Sequence, residues 1–167
     1  LDQFLIENAL DVTAVGLYAA AAWVAELLWL VPEALNPLVV HTASRAGDDD
    51  RDAITARAVR LGLAVTALAA VPLAVVAGPL LGILRDGAFS AAVDPLLVLL
   101  PGVVAFAPGV ILAGDFIGRG RPHWNTQASV LTVLVNVALC LFWIPRAGIV
   151  GAAWASTVAY TAGSALM

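Results

Sequence analysis

The sequence predicts an all-α fold, a polytopic bundle of transmembrane helices, and three observations support this prediction. Of the 167 residues, 62% are hydrophobic and only 12% are charged, whereas about a quarter of the residues in a typical soluble domain are charged. The mean hydropathy is +0.96. The apolar residues also form long runs that approach the roughly 20 residues a helix needs to cross a bilayer. So few charges would not cover the surface of a soluble enzyme of this size.

Five apolar stretches are predicted to be full spans, and they cover about residues 12–40, 61–84, 95–116, 126–144 and 148–167. Residues 1–10 are expected to be the end of a sixth span, because they carry Phe4, Leu5 and Ile6. We expect residues 1–167 to form a single transmembrane domain. Because the chain begins without Met and ends inside an apolar run, we expect it to be a fragment of a longer protein.

The arginines predict an orientation in the membrane. Because successive spans alternate in direction, residues 41–60 and 119–125 are expected on one side. That side holds six of the eight arginines, and the other connections hold the remaining two, Arg85 and Arg146. By the positive-inside rule, residues 41–60 and 119–125 are predicted to be cytoplasmic. The residues expected at this interface are Arg57, Arg60, Asp115, Arg119 and Arg121.

Two acidic features lie near that interface. Asp48–Asp50 and Asp52 precede a helix that is predicted to start at Ala53, and carboxylates suit the positive end of a helix dipole. They lack the spaced ligands of a calcium loop, so no metal site is predicted there. Asp115 is expected to pair with Arg119, which lies one helical turn away.

Three polar residues inside the spans are candidates to line a transport cavity: Glu26, Glu33 and Asn136. An ionisable group within a bilayer is costly and commonly functional, so Glu26 is either a proton or cation site or a protonated carboxyl bonded to a neighbouring helix. Glu33 follows seven residues later, close to the same helical face, although it is equally well placed at the interface. Pro32 between them is expected to kink the helix. Asn136 either bonds a neighbouring helix or contacts substrate.

No pattern of catalytic or metal-binding residues accompanies these candidates. The sequence has no nucleophile elbow, phosphate loop or metal-helix motif, and its single cysteine, Cys140, is expected to serve in packing. The eight arginines form no basic stripe, so a nucleic-acid partner is not expected. The sequence therefore predicts neither an enzyme nor a cofactor site.

The order of several short motifs resembles a known family. They are Asp2-Gln-Phe-Leu-Ile6, Ala14-Val-Gly-Leu-Tyr-Ala-Ala20, Val31-Pro-Glu-Ala-Leu-Asn36, Ile117-Gly-Arg-Gly-Arg-Pro122, Asn136, Ile144-Pro145 and Gly148-Ile-Val-Gly-Ala-Ala153. In this order they resemble the C-terminal half of polysaccharide-biosynthesis flippases. These flippases belong to the superfamily of multidrug, oligosaccharidyl-lipid and polysaccharide exporters.

The resemblance implies a transporter of twelve or more helices in two six-helix lobes, of which this chain is the C-terminal lobe. It implies that a lipid-linked oligosaccharide or polysaccharide precursor crosses the cytoplasmic membrane by alternating access, with coupling to H⁺ or Na⁺. Membrane lipids, the lipid-linked saccharide and the N-terminal lobe of the same chain are the implied partners.

The sequence departs from this pattern in two places. Cations are expected in the cavity to meet a pyrophosphate, but every arginine lies in a loop or at the end of a span. Either the N-terminal lobe supplies the cations or the substrate is not a pyrophosphate lipid. The segment His41-Thr-Ala-Ser44 also stands where the family commonly has a proline.

Two other functions remain open. In a multidrug or organic-cation antiporter of the same fold, Glu26 would be the cation site. A non-transporting membrane scaffold for cell-wall enzymes is the third hypothesis.

Overall fold

A computed structural model describes residues 2–45, 47–83 and 88–167, and most of these residues are helical, with no strand among them. Two short 3₁₀ helices, Leu27–Trp29 and Ser90–Ala92, lie just before α3 and α5. The six α-helices are α1 (Asp2–Ala9), α2 (Val12–Glu26), α3 (Leu30–Ala43), α4 (Asp48–Ile83), α5 (Val93–Gly118) and α6 (Pro122–Ala165).

Four helical segments of the described chain are long and apolar enough to cross a membrane. They are Val12–Thr42, Asp50–Ile83, Ser90–Gly118 and Pro122–Ala165. The predicted fold class, an all-α membrane bundle, is confirmed at this level. Within the predicted spans and connections, Leu1, Ala46 and residues 84–87 lie outside the described residues.

The longest helix, α6, turns sharply at Gly148. This residue has φ 58° and ψ −138°, a backbone conformation that glycine adopts without steric cost. Beyond the turn, Gly151 packs closely on the backbone of Trp143, and Gly163 packs on the side chain of Thr132. Because Gly151 contacts Trp143 and the more distant Gly163 contacts the more distant Thr132, the two arms of α6 (residues 122–147 and 149–165) run antiparallel. The predicted break between the spans 126–144 and 148–167 lies at this turn.

The predicted polar connection over residues 41–60 is mostly helical, which corrects the prediction. The helix α3 continues to Ala43, and α4 begins at Asp48 rather than at Ala53. Carboxylates in the first turn of a helix interact favourably with its dipole, so the aspartates are part of the helix instead of preceding it. The connection over residues 119–125 is also shorter than predicted, because α6 begins at Pro122.

The helix α5 lies at the centre of the bundle and packs against α2, α3, α4 and α6. Small residues allow the neighbouring helices to pack closely against α5. A Cβ atom on Gly102 would lie 2.6 Å from Cα of Thr157 in α6. Gly114 packs against Asn36 of α3, whose Nδ2 donates to the carbonyl of Val110 at 3.0 Å. These contacts hold the inner faces of the helices together, while many apolar side chains of α4 and of the first arm of α6 point outward.

Candidate functional site

A partly open cavity of about 330 Å³ lies between α1, α2, α5 and α6. Leu99 and Val103 of α5 form an apolar part of its wall. The other helices contribute the polar groups, which are Asp2, Gln3, Tyr18, Glu26, Thr132, Asn136 and Tyr160. The bundle of apolar helices thus encloses a polar site.

The carboxylate of Asp2 joins three helices in the wall of this cavity. Tyr18 Oη of α2 donates to Asp2 Oδ2 at 2.9 Å. Ser156 Oγ of α6 donates to the same oxygen at 2.7 Å. Both hydroxyls are therefore donors toward Asp2 of α1. Asp2 therefore determines how α2 and α6 are held against the first helix.

The hydrogen bonds of Ser156 are satisfied on both sides. Its Oγ accepts from Asn136 Nδ2 at 3.3 Å, and its hydroxyl has two acceptors within reach, Asp2 Oδ2 at 2.7 Å and the carbonyl oxygen of Ala152 at 3.1 Å. Asn136 is 8% exposed and Ser156 is fully buried. A buried network whose members are all paired stabilises one packing arrangement over others. Asn136 thus bonds the opposite arm of α6 and lines the cavity at the same time.

Cys140 lies one turn after Asn136, and its side chain is fully buried in the apolar core. Its sulfur is 3.9 Å from Asp2 Oδ1 and 3.8 Å from Asn136 Oδ1. These distances are long, as expected for hydrogen bonds from a thiol, which is a weak donor. The packing role predicted for this cysteine agrees with its burial.

The structure brings Glu26 and Asn136 to the same cavity but leaves Glu33 elsewhere. Glu26 ends α2 at the cavity, whereas Glu33 is exposed in α3 and does not line this cavity. The 3₁₀ turn Leu27–Trp29 separates them. The sequence predicts a kink at Pro32. The 3₁₀ turn lies just before this proline, whose side chain is buried.

A cluster of three aromatic rings reaches the cavity through Tyr160. The ring centroids of Trp29 and Phe106 are 5.8 Å apart, and those of Trp29 and Tyr160 are 5.7 Å apart. Phe106 and Tyr160 are separated by 5.2 Å. These distances fall in the favourable range for aromatic pairs. Tyr160 is the member of this cluster that lines the cavity, so its ring is an aromatic surface in the same cavity as the two carboxylates.

The charge of the cavity is negative. Asp2 and Glu26 line it, and none of the described residues that line it is an arginine. Carboxylates attract protons and cations, while hydroxyl and amide groups hydrogen-bond neutral polar groups. The residues of this chain that line the cavity can therefore bind a cation or a neutral hydroxylated group, and they provide no cation to bind a phosphate.

A second polar cluster ties the start of α4 to the end of α5. Asp115 is 3% exposed; its Oδ1 accepts from Thr55 Oγ1 at 3.0 Å, and its Oδ2 accepts from Arg119 Nε. Arg119 also forms an ion pair with Asp52. The hydrogen bonds to Asp52 and Asp115 raise the pKa of Arg119. The pair expected between Asp115 and Arg119 is present, and Asp52 joins it from α4.

The other residues predicted at this interface are exposed. Arg57 and Arg60 lie on α4, and Arg121 lies in the turn before α6. Their exposure agrees with a position at the end of the bundle.

Sequence reasoning missed six polar residues of the site: Asp2, Gln3, Tyr18, Thr132, Ser156 and Tyr160. Asp2 carried a signal, because a carboxylate next to Phe4, Leu5 and Ile6 is the same kind of ionisable group in an apolar segment that identified Glu26. The roles of the hydroxyl groups had no such signal, because they depend on which helices meet.

Comparison with known proteins yields one curated relative. The chain is similar to the probable flippase AglR of Haloferax volcanii, with 25% identity over 99% of this chain and 36% of that protein. The chain thus spans about a third of the length of the curated relative it matches. No family model matches the sequence, and no solved structure matches it. This similarity and the apolar helices together support a multi-pass membrane transporter with a flippase-like relative.

Proposed function

We propose that this chain is the C-terminal lobe of a flippase that moves a lipid-linked oligosaccharide or polysaccharide precursor across the cytoplasmic membrane by alternating access. The observation that carries the proposal is the similarity to a probable flippase over 99% of the chain. The match covers 36% of that relative, which agrees with a lobe that works together with another part of a longer chain. The proposal assigns no catalytic reaction to this lobe.

In this proposal α6 crosses the membrane twice and turns at Gly148. The antiparallel packing of its two arms supports this arrangement. At 1.5 Å per residue the arms are about 39 and 26 Å long, and the hydrocarbon core of a bilayer is about 30 Å thick. The lobe then has five full spans, with α1 as the end of a sixth. The arginine distribution supports a cytoplasmic location for residues 41–60 and 119–125.

The cavity is the proposed site of coupling and of saccharide contact. Asp2 and Glu26 bind the coupling cation, H⁺ or Na⁺. Gln3, Asn136 and Thr132 offer amide and hydroxyl groups that can exchange hydrogen bonds with sugar hydroxyls. The anionic phosphoryl part of the lipid has no cationic partner in this cavity, so the N-terminal lobe supplies the cations that meet it.

Translocation by the full-length protein tests the proposal. The wild type and the variants Glu26→Gln and Glu33→Gln are reconstituted in proteoliposomes, and the flipping of a short-chain lipid-linked saccharide is measured with and without a Na⁺ or H⁺ gradient. Glu33 provides a matched control, because it is an exposed carboxylate outside the cavity. We expect Glu26→Gln to slow gradient-driven translocation about tenfold, a difference of about 1.4 kcal/mol in the barrier, and Glu33→Gln to retain the wild-type rate.

The outcomes separate the parts of the proposal. Absence of translocation by the wild type would contradict the flippase function. Wild-type translocation with equal rates in both variants would contradict the coupling role of Glu26 and leave the flippase function standing.

A second function, export of organic cations, is favoured by one observation. The cavity places the carboxylates of Asp2 and Glu26 beside the rings of Tyr18 and Tyr160, and a cation is attracted to both carboxylates and aromatic faces. The same proteoliposomes test it with a fluorescent organic cation in place of the lipid. Cation export without saccharide flipping would favour the antiporter, and transport of neither compound would favour a scaffold.

A further inference from the structure

The turn between α5 and α6 has a defined backbone geometry. The N–H of Gly120 donates to the carbonyl of Ile117 at 3.0 Å, and the N–H of Arg121 donates to that of Phe116 at 2.8 Å. Gly120 has φ +69°, as the Schellman motif at a helix C-terminus requires. Pro122 then starts α6, a position at which proline is favoured. The end of α5 and the start of α6 therefore fix the backbone on both sides of Arg121.

A cavity of about 360 Å³ lies at this turn. Arg119 and Arg121 line it together with Trp124, Phe116 and Leu166. Two guanidinium groups therefore lie beside three large apolar side chains. Trp124 is 53% exposed and Leu166 is 56% exposed, so the apolar part of the cavity is continuous with the surface of the bundle.

The acidic group in this cavity is already neutralised. Asp115 also lines it, but its two oxygens accept from Thr55 and from Arg119. The side chain of Arg121 is exposed at the mouth. Arg119 is in turn paired with Asp52 and Asp115, so Arg121 is the lining residue that offers positive charge to a ligand.

We infer that this cavity binds the phosphate group of an anionic membrane lipid. Guanidinium groups form strong charge-assisted hydrogen bonds to phosphate oxygens, which assigns the phosphate to Arg121, because Arg119 is already paired with Asp52 and Asp115. Tryptophan is enriched at the depth of lipid headgroups, so Trp124 lies beside the glycerol region. Phe116 and Leu166 contact the start of an acyl chain, and this apolar contact favours a lipid phosphate over a soluble one. The inference requires the bundle to lie in a membrane but does not depend on transport.

Lipid binding by the full-length purified protein tests this inference. Phosphatidylglycerol is titrated into protein in a neutral detergent, and bound lipid is measured by native mass spectrometry for the wild type, Arg121→Gln and Arg57→Gln. Arg57 is a matched control, since it is an exposed arginine of the same predicted interface that does not line the cavity. We expect Arg121→Gln to weaken binding about tenfold, as the loss of a hydrogen bond to a charged group implies, and Arg57→Gln to bind as the wild type does.

Two further measurements identify the chemical group that the cavity recognises. Diacylglycerol, which has the acyl chains but no phosphate, should bind poorly, and inorganic pyrophosphate should fail to displace the lipid. Arg121→Lys, which retains the charge, should bind more tightly than Arg121→Gln while all variants keep the same circular dichroism.

Three results would overturn the inference. Equal weakening by Arg57→Gln and Arg121→Gln would show a diffuse electrostatic effect. Equal binding of diacylglycerol would show that the phosphate is not recognised, and displacement by pyrophosphate would identify a soluble phosphate as the ligand.

Discussion

Ser156 Oγ donates to Asp2 Oδ2 at 2.7 Å, so the last helix of the chain is bonded to the first. Because the same hydroxyl oxygen accepts from Asn136, Ser156 connects the cavity carboxylate to the opposite arm of α6. The variant Ser156→Ala removes both hydrogen bonds. We expect its free energy of unfolding to fall by about 1 kcal/mol, in line with hydrogen bonds between membrane helices.

Reversible unfolding in mixed micelles measures this difference. Ser164→Ala is the control, because Ser164 lies on the same arm and makes no side-chain hydrogen bond within the described residues. Equal stability of the two variants would contradict the role assigned to Ser156.

The contact of Gly102 with Thr157 predicts a packing effect. A Cβ atom at position 102 would lie 2.6 Å from Cα and 2.7 Å from Oγ1 of Thr157, whose hydroxyl donates to the carbonyl of Val98. The variant Gly102→Ala must therefore separate α5 from α6, and overpacking of this kind costs about 1–3 kcal/mol. Gly78→Ala is the control. Its new methyl group has no atom within 4 Å, so no loss of stability is expected. If unfolding assays gave the same stability for both alanine variants, α5 and α6 would not be packed this closely.

The ion pair of Arg119 predicts a stability effect at the end of the bundle. Arg119→Gln leaves the buried Asp115 with a weaker set of donors, which costs about 1–3 kcal/mol. The control Asp52→Asn should cost less, about 0–1 kcal/mol, because the Asp52 side chain is 68% exposed. Thermal unfolding of the two variants compares these effects. A larger loss in Asp52→Asn would show that Asp115 does not depend on Arg119.

The pH dependence of this ion pair has a definite sign. The pKa of Arg119 is raised above its ordinary value by its hydrogen bonds to Asp52 and Asp115. A raised pKa in the folded state adds stability that is fully present below the unfolded value and is lost only above it. Titration of Arg119 should therefore leave the stability difference between wild type and Arg119→Gln unchanged between about pH 6 and 9. Unfolding midpoints across this range measure it, and a difference that shrank toward pH 9 would contradict the assignment.

Cysteine labelling tests the predicted orientation. His123 and Ala147 are exposed and lie at opposite ends of the first arm of α6. In intact cells a membrane-impermeant maleimide should label Ala147→Cys but not His123→Cys, which should react only after permeabilisation. A Cys140→Ala background removes the native thiol, which is buried. Labelling of position 123 in intact cells would reverse the proposed topology.

The sequence by itself determined the features that depend on neighbouring residues. The apolar runs required membrane-spanning helices, because helix length and hydropathy are local properties. The spacing of four residues between Asp115 and Arg119 was enough to predict their ion pair, since one helical turn brings such side chains together.

Only the tertiary structure decided which polar groups share the cavity. Asp2 and Ser156 are separated by 154 positions, and no periodicity relates residues on helices that meet through packing. The tertiary structure also showed that Glu26 lines the cavity without Glu33, because the lining depends on which helix faces meet and not on the spacing of the two residues along the chain. Local chemistry determined that the chain forms helices able to cross a membrane, and the packing of those helices decided where its few polar side chains meet.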